Sequence, residues 1–128
     1  MKESTKKLLE KAGHAIHAAE VLLKDAETDF AAGRVYYAMF YLAQALLYEG
    51  GFRRFGKHGA VHAAFGKAFS KTNELDPKFH RWLIDAFDKR LRGDYDVDSE
   101  IGVEDVEKMI AQAREFLEAA ERHLAKPS

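Results

Sequence analysis

"GRVYYAMFYLAQALLYEGG", residues 33–51, decides the fold. From Val35 to Tyr48 the only strongly polar side chain is Gln44. A helix in water keeps a polar face; one that is apolar around its whole circumference must be covered around its whole circumference. The run is about 14 residues long, too short to span a bilayer. Gly50-Gly51 is a natural C-terminal stop. The pattern therefore predicts a helix over about 29–49, either central in a bundle or with one face inside and the other against a second subunit. Four or five helices rarely wrap one helix fully, and two-fold homodimers are the commonest assembly. A homodimer with this second helix in or beside the interface is the expectation. The tyrosines suit such a place, because the ring buries area while the hydroxyl reaches a polar group or a wet rim.

The rest of the chain supplies the covering elements. A first helix over about 4–26 carries Leu8, Leu9, Ala12, Ala15, Ile16, Ala19, Leu22 and Leu23 as a helical stripe. A third, over about 57–71, places Val61, Ala64, Phe65, Ala68 and Phe69 on one side. A fourth starts at Asp76-Pro77, with Asp as cap and Pro at the first helical position. Its stripe is Phe79, Trp82, Leu83, Ala86 and Phe87, and it stops near Gly93. A fifth covers about 103–125, where Val103, Val106, Ile110, Ala113, Leu117, Ala120 and Leu124 step by three and four. Glu104 and Asp105 lie at its positive N-terminal end. No run alternates with period two, so the fold class is all-α: an up-and-down antiparallel bundle of about five helices.

The chain has 128 residues, 47% apolar and 32% charged, which fits one soluble globular domain over 1–128. No cysteine is present, which excludes disulfides, thiolate zinc sites and cysteine nucleophiles and suits a reducing cytoplasm. No signal peptide or membrane span is expected. Net charge is −1, so no global attraction to nucleic acid exists. The charge is uneven: "FRRFGKH" (52–58) and "KRLR" (89–92) are basic, while Asp94 to Glu107 holds seven acids and no Lys or Arg.

"GRVYYAMFYLAQALL" resembles the helix beginning R-x-Y-Y-A-M-F in small prokaryotic HEPN-domain proteins. "KHGAVHAAFGKAFSKTNEL", "FDKRLRGDYDVD" and "VEDVEKMIAQAREFLEAAERHL" resemble further family segments in the right order, and the likeness covers about residues 5–124. Arg34, Tyr36, Tyr37, His58, Phe65, Arg90, Asp94 and Tyr95 carry it. The resemblance implies a HEPN-like bundle, usually dimeric through helices that line a shared cleft. It also implies a genetic pairing with a small MNT-like nucleotidyltransferase, as in toxin–antitoxin systems. Some HEPN proteins are metal-independent endoribonucleases using R-x(4–6)-H near a helix end; others bind nucleotides without cutting RNA. Here no His follows Arg90 within reach, and Tyr95 stands five residues on, giving R-x4-Y. A phenol with pKa near 10 is a poorer base than imidazole at neutral pH. A literal R-x4-H, Arg53 to His58, falls in the loop after Gly50-Gly51, not where the family places the motif.

Arg90 also stands out without the family. The fourth helix's stripe extends to positions 90 and 91, so Arg90 projects from the buried side and needs a partner or a water-filled cleft. Asp94 is in reach at i+4. The pair either closes the helix structurally or marks a functional cleft, which two-fold symmetry would double. Catalytic candidates are Arg90, Asp94 and Tyr95; nucleotide- or RNA-binding candidates are Arg34, Tyr36, Tyr37, His58 and Arg90. His58 and His62 have zinc-like i, i+4 spacing, but no Glu follows His58 and no third ligand is apparent, so no metal and no cofactor are expected. "GFRRFGKH" is one residue short of a phosphate loop and follows no strand. Three readings follow. One is a protein binding a nucleotide or RNA phosphate in a cleft near the dimer interface, acting with a nucleotidyltransferase. The others are a weak metal-independent endoribonuclease toxin and a non-catalytic dimeric scaffold.

Overall fold

The structure is a computed structural model and describes residues 1–52 and 57–126. Helix α2 (Thr28–Glu49) is its axis. Around it stand α1 (Glu3–Lys24), α3 (His58–Phe65) with a π-helical continuation at Gly66–Ser70, α4 (Lys78–Tyr95) and α5 (Val103–Ala125). All five helices run where the hydrophobic stripes place them, and the described residues contain no strand. Val35, Tyr36, Ala38, Met39, Leu42, Ala43, Ala45 and Leu47 are all 0% exposed. This corrects the reason for expecting a second subunit: α1, α3, α4 and α5 of the same chain all pack on α2. They can do so because small side chains let them come close. Ala12, Ala15 and Ala19 of α1, Ala86 of α4 and Ala113 and Ala120 of α5 are buried in the same core. From Ala31 to Tyr48 only Arg34, Tyr37, Tyr41, Gln44 and Tyr48 escape full burial. Their steps of three and four place them on one narrow stripe.

The termini of the elements are tied by polar contacts. Glu49, at the end of α2, accepts hydrogen bonds from the Lys2 backbone N–H and from the Thr5 hydroxyl, both at 2.9 Å. That fixes α1 and α2 antiparallel and holds the Glu49 carboxyl below its usual pKa. Asp76 caps α4 by accepting the Lys78 N–H at 2.9 Å, and Asp105 accepts the Gly102 N–H at 2.9 Å at the start of α5. Arg114 pairs with Glu20 and Lys78 with Glu115 on the surface.

Two differences from the sequence reading have physical causes. The third helix is not uniform: after Phe65 it widens to a π-turn at Gly66. The His80 ring of α4 presses there, with Nε2 2.7 Å from where a Gly66 side chain would begin. The fourth helix does not stop at Gly93 but runs to Tyr95. Gly93 serves a close approach instead. A Cβ there would lie 3.0 Å from the Asp29 carbonyl oxygen, so the α4 backbone rests on the start of α2.

Candidate functional site

Tyr36 is the centre of the site, although it is 0% exposed. Its hydroxyl lies 2.7 Å from His58 Nδ1 and 2.7 Å from His62 Nε2. The i, i+4 spacing of the two histidines sets both on the side of α3 that faces α2, so one phenol bridges both rings. Burial, with His58 and His80 adding to it, lowers the His62 pKa to about 4. Burial and the nearby Arg90 charge lower that of His58. Burial raises Tyr36, with Tyr37 adding to it and Arg90 opposing. At pH 7 all three groups are therefore neutral. The phenol has one proton and donates it to one imidazole, so the other imidazole must donate its N–H to the phenol oxygen. His80 extends the network: its Nε2 lies 3.1 Å from the His62 carbonyl, which can only accept.

Next to this buried trio lies a cationic, aromatic surface. The Arg34 guanidinium sits 4.8 Å from the Tyr37 ring centroid and that of Arg90 5.2 Å from the same ring. Arg90 is also 6.0 Å from the Tyr36 ring. Its Nε pairs with Asp94 at 3.2 Å. Arg34 has no carboxylate within ion-pair distance among the described residues. The half-buried His58 ring lies against Phe40, at 4.5 Å, and stacks on Phe87, at 5.9 Å. It also meets Tyr37 at 5.7 Å. Arg34 and Tyr37 come from α2, His58 from α3 and Arg90 from α4, so three elements converge on one patch.

The structure thus brings together Arg34, Tyr36, Tyr37, His58, Arg90 and Asp94. It does not bring Tyr95, which is 76% exposed and makes no ring contact among the described residues. Arg53, and with it the literal R-x4-H, lies outside the described residues. Sequence reasoning missed the roles of His62 and His80. The signal for His62 is present in the sequence: a tyrosine inside an apolar helix needs a partner, and His58 and His62 stand at i, i+4. Nothing in the sequence pointed to His80. Both His58 Nδ1 and His62 Nε2 face the phenol, and the described residues hold no group of three or more metal-ligating side chains. None of the described helices is long and apolar enough to cross a membrane.

The chain belongs to the HEPN family: its sequence matches the HEPN domain over residues 5–123. It is 37% identical to a protein of Methanocaldococcus jannaschii named as a candidate toxin, over 96% of this chain and 83% of the relative. A UPF0332 protein of Thermotoga maritima is 36% identical over 88% of this chain and 84% of its own length. A second Methanocaldococcus jannaschii protein named as a candidate toxin is 27% identical over 97% and 91%.

Proposed function

We propose that this is a toxin-like HEPN protein that binds a nucleotide or RNA phosphate at the patch of Arg34, Tyr37, His58 and Arg90, which a dimer would close into a cleft. In this reading it works in the cytoplasm as a homodimer, with a nucleotidyltransferase partner. The observation that carries the reading is the convergence of two guanidiniums on one half-buried tyrosine ring. Guanidinium groups grip phosphate in a planar, bidentate manner, and the ring offers a base a stacking face. The toxin names of two relatives support the biological setting. For the dimer, the support is an apolar end of the bundle. Gly93 and Ser99 both touch Asp29, the latter by a 3.0 Å hydrogen bond. Phe30, Tyr95 and Val97 beside them are 63%, 76% and 97% exposed. Large exposed apolar groups at one end of a small domain mark an interaction surface. A dimer built on that end of α2 and α4 would set two Arg34–Arg90 patches near its two-fold axis.

The test is a titration with ATP and with a labelled oligoribonucleotide at low and high salt, paired with sedimentation equilibrium. Binding lost on Arg90→Ala with an unchanged melting curve, in a protein of twice 14.5 kDa, is the expected result. No binding by either ligand at low salt would return the chain to a scaffold.

One observation favours a second reading, a metal-independent endoribonuclease. His58 is a neutral imidazole within the field of Arg90, which supplies from α3 the kind of base the segment after Arg90 lacks. RNA cleavage in EDTA, lost in His58→Ala, would establish it.

A further inference from the structure

We propose that the half-open stripe of α2, with the lysine rim of α1, is a binding track for single-stranded RNA that leads out of the Arg34–Arg90 cleft. This rests on the phosphate-binding reading above and specifies its ligand as a polymer. Along α2 the stripe carries Tyr37, Tyr41 and Tyr48, and none of the three is fully buried. Tyr37 and Tyr41 are 6.0 Å apart, tilted by 36°. Tyr41 opens into a groove of about 420 Å³ between α1 and α2, lined by apolar Leu8 and Phe40 as well as by Lys7, Lys11, Gln44 and Tyr48. Neither Asp nor Glu is among the residues lining it. The Lys11 ammonium lies 5.1 Å from the Tyr41 ring centroid. Lys7 and Lys11 repeat at i, i+4 on one face of α1, and neither pairs with a carboxylate among the described residues.

The ingredients are those of single-strand recognition: aromatic faces on which successive bases stack, beside cations that follow the backbone. From Tyr37 to Tyr48 the helix rises about 16 Å. That is long enough to follow several nucleotides of an extended single strand. Charge decides against the obvious alternative, a second copy of the chain seated in the groove. A two-fold axis there would set the lysines of one copy against those of the other, which disfavours association. A polyanion meets the opposite condition. RNA is favoured over DNA because the Gln44 amide and the tyrosine hydroxyls offer donors and acceptors to ribose 2′-hydroxyls.

The experiment is fluorescence anisotropy with a ten-nucleotide oligouridylate, its trinucleotide, the ten-nucleotide deoxy counterpart, and ATP. The variants are Tyr41→Ala, the double variant Lys7→Gln with Lys11→Gln, and Arg90→Ala. The decamer should bind more tightly than the trinucleotide and than the deoxy decamer. Tyr41→Ala should weaken the decamer roughly 5- to 160-fold. The double lysine variant should flatten the log–log salt slope by about 1.4. Both should leave ATP affinity unchanged, whereas Arg90→Ala weakens both ligands. ATP binding that persists while the decamer shows no length dependence, or ignores the Tyr41 and lysine changes, overturns the track and leaves the cleft standing. A deoxy decamer bound as well as RNA overturns the assignment to RNA. Variants that lower the sedimenting mass without changing decamer affinity make the stripe a self-interface and overturn the proposal. No binding by either ATP or the decamer to the wild-type protein removes the track and the cleft reading together.

Discussion

A single hydroxyl organises the buried part of the site. The Tyr36 hydroxyl bridges His58 and His62 at 2.7 Å each, and both acceptor and donor capacity are used. Removing the oxygen leaves a buried imidazole nitrogen without a partner, which costs about 1–3 kcal/mol. Tyr36→Phe should therefore lower unfolding stability by that amount, measured by urea denaturation at pH 7, although the ring volume is kept. The same site predicts acid sensitivity. His62 titrates at about 4 in the folded chain, against about 6.5 when unfolded. Between those values the unfolded state binds more protons, so stability is complete above pH 6.5 and is lost as pH falls toward 4. The loss amounts to at most about 3.4 kcal/mol. His62→Gln should lower stability at pH 7 and flatten its dependence on pH through this window. A wild-type urea midpoint unchanged between pH 7 and pH 4.5 would rule the account out.

Among the elements, α2 and α4 are the pair whose spacing matters most, because Arg34 and Tyr37 sit on one and Arg90 on the other. They approach closely at Gly93, where an added methyl would lie 3.0 Å from the Asp29 carbonyl oxygen. Backbone gives way less readily than a flexible side chain, and the two helices would have to shift by a few tenths of an ångström. Gly93→Ala should cost about 1–3 kcal/mol, the range for overpacking. It should also weaken ligand binding through Arg90, read from a thermal melt and the ATP titration together. This contact explains what was legible in the sequence and what was not. Helical stripes of the Phe79–Phe87 kind are set by local periodicity, and all five helices could be read from them. Arg90 could be placed on the buried side of α4 by the same rule. The Gly93–Asp29 and Gly66–His80 contacts depend on how two distant helices cross, which no local pattern encodes. Gly93 consequently reads as a stop. The coverage of α2 was misjudged for a related reason: alanines on neighbouring helices look bland in sequence, yet they let four elements close on one.

At the scale of the whole molecule, charge is nearly balanced, with a net value of −1. Long-range steering of an anion is therefore weak, and binding must depend on local cations. Locally the balance turns on Asp94. It pairs with Arg90 at 3.2 Å in a partly exposed i, i+4 contact, worth at most about 1 kcal/mol in such surroundings. The pair is weak enough for a phosphate to compete with it, yet it halves what the ligand would meet, since Arg34 then stands as the other cation. Asp94→Asn removes the competing carboxylate without changing side-chain size. It should tighten binding of ATP or oligoribonucleotide by up to about fivefold at low salt, the equivalent of that energy. The gain should shrink as salt rises, because the contact is partly exposed and therefore screened. Stability should fall by less than about 1 kcal/mol. The measurement is a set of isotherms for wild type, Asp94→Asn and Arg90→Ala across salt concentrations. Weaker binding by Asp94→Asn would mean that Asp94 positions Arg90 for the ligand rather than competing with it. An affinity unchanged in both variants would place the ligand elsewhere on the molecule.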